Sequence, residues 1–95
     1  MERPTTTFNM DFQIAEAFGE NAIRDTYKRA KAEWKNDCGY FTELVVVLNE
    51  RCWMWYSKGN EKLSSLYSEL YYDANDYALD NYKGEEAQHF LDVTD

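Results

Sequence analysis

Residues 40 to 57, YFTELVVVLNERCWMWYS, decide the fold. The β-branched Val45, Val46 and Val47 favour a strand over residues 44 to 48. The longer pattern opposes it. Phe41, Leu44, Val45, Leu48, Cys52, Trp55 and Tyr56 recur at spacings of three and four, the repeat of a helical face, which a five-residue strand leaves unexplained. The reading is therefore a helix over 40–57. Val46, Val47, Trp53 and Met54 lie elsewhere on its surface, and a helix apolar on most sides belongs at the centre of a domain.

Helical signals continue on both sides. Upstream, Asn21 is suited to cap a helix over 21–35, in which Ile23, Tyr27, Ala30 and Trp34 form one stripe. Before it, Asp11 opens a short helix over 11–18 that Gly19 ends. Residues 1–10, MERPTTTFNM, hold the only proline and read as a flexible arm. Downstream, the KGN turn leads into a helix over 60–82 whose inward face carries Leu63, Leu66, Leu70, Tyr71, Ala74 and Ala78, with Tyr67 and Tyr77. YKG reads as its glycine cap, and EEAQHFLDV as a last short helix over 85–93. The expected fold is all-α: a bundle of three longer helices flanked by two short ones, in a single domain over 11–95.

Composition narrows the function. A chain of 95 residues, 44% hydrophobic with one proline, is sized for one core and too apolar for disorder. Its net charge of −8 is uneven: residues 21 to 35 carry five bases against two acids, and residues 60 to 95 carry two against nine. That balance disfavours direct binding to nucleic acid or an anionic membrane and favours a basic protein partner. The longest apolar run, LVVVL, is far short of a membrane span, and no signal peptide is recognisable, so a soluble cytoplasmic protein is expected. Cys38, Cys52 and His89 are too few and too dispersed for a zinc site, and no cofactor motif is present. His89 is the lone histidine, no serine or cysteine lies in a nucleophile motif, and no glycine-rich phosphate loop occurs. No catalytic residue is assigned, and a binding role is expected rather than an enzyme.

The candidate surface lies in residues 66 to 82, LYSELYYDANDYALDNY. Glu69, Asp73, Asp76 and Asp80 recur at i, i+4, i+7 and i+11, a stripe about 16 Å long and about 120° from the apolar centre of the helix. Like charges so spaced oppose helix formation by a few tenths of a kcal/mol per pair, so local stability does not require them. The simplest reading is a solvated face. A second is a surface for a basic partner that imitates the phosphate spacing of a nucleic acid. Tyr72 and Tyr82 flank the stripe, and Tyr72 is the candidate contact. Trp53 and Met54 are expected either beneath the terminal helices or as an exposed patch through which two copies dimerise. The basic face of Arg24, Lys28, Arg29, Lys31 and Lys35 offers a neutralising partner for the acidic helix, within one molecule or between two.

Three blocks carry a resemblance: MDFQIAEAFGENAIRDTYKRAKAEWKND at residues 10 to 37, YFTELVVVLNERCWMWY at 40 to 56, and LYSELYYDANDYALDNYKGEEAQHFLDVTD at 66 to 95. Together they resemble small acidic helical proteins of unassigned role carried on conjugative elements of gut Firmicutes. The resemblance lies in overall pattern and assigns no functional residue. It implies an accessory factor of a mobile element. In size, charge and lack of a catalytic motif the chain is similar to anti-CRISPR and antirestriction inhibitors, which occupy the nucleic-acid groove of a host nuclease.

Overall fold

The computed structural model describes the backbone of residues 4–94 and the side chains of residues 7–94. Five helices follow in order: α1 (Pro4–Phe18), α2 (Glu20–Trp34), α3 (Cys38–Ser57), α4 (Glu61–Asn81) and α5 (Glu85–Thr94). The fold is all-α. The α3 helix lies at the centre and touches each of the other four, packing most closely against α4. The valine-rich stretch is helical throughout, and Leu44, Val45, Val47 and Leu48 are buried on it. Two polar caps start the longest helices. Asp37 accepts from the Tyr40 amide at 3.1 Å, and Asn60 from the Leu63 amide at 3.0 Å, each satisfying a donor that the first turn leaves open.

The first helix corrects the sequence reading. It starts at Pro4, not Asp11, so residues 4–10 of the expected arm are its first turns. Proline suits such a start because its missing amide would have no helical partner there. Phe8 is buried beside Phe12 and Ala15 and extends the same apolar stripe by one turn. Residues 1–3 lie outside the described residues.

Gly19 ends α1 as expected, whereas two cap assignments change. Asn21 does not cap α2, which begins at Glu20 directly after Gly19 and has no side-chain cap. Gly19, at φ 112° and ψ −177°, is itself the whole connection between α1 and α2, in a region of backbone space that is essentially closed to other residues. At the other end of the chain, α4 stops at Asn81 with Tyr82 extended. Gly84, at φ 61°, therefore lies before α5 and does not close α4.

Candidate acidic interaction surface

Contacts between α2 and α4 decide which part of the acidic stripe is available. Arg24 donates to Glu69 at 2.9 Å. One turn on, a single carboxylate oxygen of Asp73 accepts from the Tyr27 hydroxyl at 2.5 Å and from the Lys31 ammonium at 2.8 Å. Contacts advance together along both helices, and Tyr82 donates to the Lys35 carbonyl at 2.8 Å, so α2 and α4 run parallel. Lys31 also sits 5.3 Å from the centre of the Tyr77 ring. Burial raises the Asp73 pKa, but the hydrogen bonds from Lys31 and Tyr27 and the charge of Lys31 outweigh it, so the carboxyl is held below its ordinary value. Burial and the same carboxylate push the Tyr27 hydroxyl up.

Half of the stripe thus helps to hold the fold. Glu69 and Asp73 join α4 to α2, a role between helices that the local stability of α4 does not reveal. Asp76 and Asp80 are exposed and have no ion-pair partner among the described residues. Tyr72 is 63% exposed and packs edge-on against Tyr71 at 5.5 Å, while Leu79 is half-exposed on the same helix. The remaining surface is therefore two carboxylates beside exposed apolar side chains. Tyr82 does not flank it. That ring is buried between Phe41, Tyr77 and Phe90, because the chain turns extended at Tyr82 and folds it inward.

Trp53 and Met54 do not form one patch. Trp53 is 61% exposed and meets the exposed Tyr56 edge-on at 5.6 Å, whereas Met54 is half-buried. No terminal helix covers Trp53. At the opposite end of α3, a shallow hollow of about 290 Å³ is bounded by Asp37, Gly39, Tyr40, Glu43 and His89. Both cysteines are free; Cys38 donates to the Glu86 carbonyl at 3.3 Å, and burial raises its thiol pKa. Among the described residues, no group of three or more histidine, cysteine, aspartate or glutamate side chains is placed to hold a metal ion, and no helix is long and apolar enough to cross a membrane.

A second carboxylate site lies inside the bundle and has no counterpart in the sequence reading. Glu16 on α1 accepts from Arg51 Nε at 2.8 Å and Arg51 Nη2 at 2.6 Å, from Trp55 Nε1 at 3.0 Å and from the Tyr67 hydroxyl at 2.5 Å. Arg51 is 9% exposed and also lies 5.9 Å from the Tyr67 ring centre. The site joins α1, α3 and α4, and every buried side-chain nitrogen and oxygen among the described residues has a partner. A signal was available: Leu44, Leu48, Arg51 and Trp55 share one face of α3, so a cation stands in an apolar stripe. A buried arginine requires an acceptor, and Glu16, adjoining Ala15 and one turn after Phe12, is the matching acid.

Comparison of the chain with protein-family models, with curated proteins and with solved structures finds no match.

Proposed function

We propose that this chain is a protein-binding module, not an enzyme, that presents Asp76 and Asp80 with Tyr72 to a basic surface. The partner surface is the groove of a nucleic-acid-targeting nuclease, and competition with nucleic acid is the mode of inhibition. One observation carries the reading: among the described residues these two carboxylates have no ion-pair partner and stand beside an exposed tyrosine, in a chain of net charge −8 whose Arg24 and Lys31 are already engaged by Glu69 and Asp73. Tyrosine is enriched at protein interfaces, whose rim is polar, and carboxylates one helical turn apart approximate the spacing of phosphates. The resemblance to mobile-element proteins supports an inhibitor of the anti-CRISPR or antirestriction type.

The test is capture from extracts of cells carrying the gene, with the tagged chain beside its Asp76→Lys/Asp80→Lys variant. The expected partner is retained by the first only, is released by raised salt, and is displaced by added duplex DNA or RNA. Equal retention by the variant, or a partner that nucleic acid does not displace, overturns the reading. A homodimeric assembly role is the second reading, favoured by the exposed Trp53 and Tyr56 pair.

A further inference from the structure

The α1 and α2 helices, joined by Gly19 alone, enclose an open groove of about 900 Å³. Phe8, Ala15, Ala22 and Trp34 line it, and Ile14 and Phe18 stand at its edge, 58% and 80% exposed. With Met10 at 51%, these two form an unpartnered i, i+4, i+8 row along α1. Such a row exceeds the singly scattered apolar residues that a surface ordinarily shows.

Charge identifies the occupant. The groove is edged by Asp11, Asp25 and Glu33 against Lys28 and Arg29, close to neutral on a chain of net −8. Among the described residues none of these five has an ion-pair partner. A strongly basic ligand would find little attraction here, and identical acidic molecules meet with least repulsion at this face.

We propose that a second copy of this chain docks on the α1/α2 face about a two-fold axis. An isologous interface requires that residue i meet j while j meets i. An axis lying in the interface plane, passing over the exposed face of α2 midway between Asp25 and Arg29, satisfies this and sets each Asp25 opposite Arg29 of the partner subunit. Phe18 and Ile14 then enter the apolar groove. Each helix is about 22 Å long at 1.5 Å per residue, and two side by side are about 20 Å wide. That places the contact at the low end of specific interfaces, with association in the micromolar range. The α4 contacts use residues 24, 27 and 31, roughly on the other side of α2, so the dimer leaves both acidic surfaces open. The proposal is independent of what those surfaces bind.

Sedimentation velocity on the full chain, over a concentration series through the micromolar range, is the test. Wild type is expected to pass from monomer to dimer. Phe18→Glu, or Ile14→Lys as an independent variant, raises the dissociation constant by on the order of ten-fold or more. Asp25→Arg weakens the dimer, and adding Arg29→Asp to it restores association, because the reciprocal pairs are rebuilt. Trp53→Ser leaves association unchanged. A wild type that stays monomeric throughout, a dimer lost on Trp53→Ser and kept on Phe18→Glu, or a double charge variant no better than Asp25→Arg overturns the proposal.

Discussion

Replacing Glu16 by alanine removes the acceptor of four hydrogen bonds and leaves the buried Arg51 without a counter-ion. Breaking a buried ion pair from one side costs about 3 to 5 kcal/mol, because the remaining charge stays desolvated. The Trp55 and Tyr67 donors lose their acceptor as well, which places the effect toward the upper part of that range. A domain of this length has a total stability of about 5 to 14 kcal/mol, so Glu16→Ala removes between a quarter and most of it. At about 4 to 8 °C per kcal/mol, the melting temperature falls by roughly 12 °C or more. Urea titration followed by tryptophan fluorescence measures the same loss, as a midpoint lowered by roughly 2 M or more.

The double variant Glu16→Leu/Arg51→Met separates the pair from its geometry. With both charges gone, no ion remains buried, and the double variant should be more stable than either Glu16→Ala or Arg51→Met alone. The wild-type pair also predicts a pH dependence. Burial raises the Glu16 pKa, but hydrogen bonds from Arg51, Tyr67 and Trp55, together with the Arg51 charge, outweigh it and hold the carboxyl below its ordinary 4.5. The folded state therefore binds that proton more weakly than the unfolded state does. Its stabilisation is complete above pH 4.5 and is lost as the pH falls through the folded-state value. A Glu16→Ala midpoint within about 1 kcal/mol of wild type at neutral pH would refute the assignment of Arg51 as a charge held by this one acid.

Three further outcomes follow from the same contacts. Asp73→Lys should lower stability by on the order of 1 to 2 kcal/mol, since Tyr27 loses its acceptor and Lys31 meets a like charge, whereas Asp76→Lys and Asp80→Lys should each stay within about 0.5 kcal/mol; thermal melts of the three rank them. Gly19→Ala should cost about 1 to 3 kcal/mol by strain alone, because the space around the position is open while its φ of 112° is not accessible to alanine; denaturant titration reads it. Cys38 should react with iodoacetamide much more slowly in the native protein than in urea, being buried, hydrogen-bonded to the Glu86 carbonyl and raised in pKa; mass spectrometry of time points gives the rate ratio.

The helical period made most of the fold legible. It placed α3 at the centre despite three consecutive valines, because a repeat running from Phe41 to Tyr56 outweighs the β preference of three. It failed where one residue overrides a pattern. Gly19 adopts a conformation available to it alone and makes a connection shorter than any cap at Asn21 would allow. Tyr82 falls off the α4 stripe on a helical projection, yet it is buried because the helix has already ended there.

The acidic stripe shows why side-chain function was harder to read than helix position. Periodicity states which residues share a face of α4, but not what faces them, and the donors that meet Glu69 and Asp73 stand 45, 42 and 46 residues away in the case of Arg24, Lys31 and the Tyr27 hydroxyl respectively. The sequence offered both halves, a basic α2 and an acidic α4, and parallel packing pairs their charges at Glu69 and Asp73, in the middle of α4, and not at Asp76 or Asp80. That asymmetry gives the stripe two physical roles along one line. A carboxylate bound to Tyr27 and Lys31 must lose those bonds before it can engage a partner, a penalty that opposes binding at Asp73. Asp76 and Asp80 have no such bonds to break. Any attraction of this face for a basic surface is therefore concentrated at Asp76 and Asp80, beside Tyr72 and Leu79, and charge reversal there separates recognition from folding in a way that reversal at Asp73 does not.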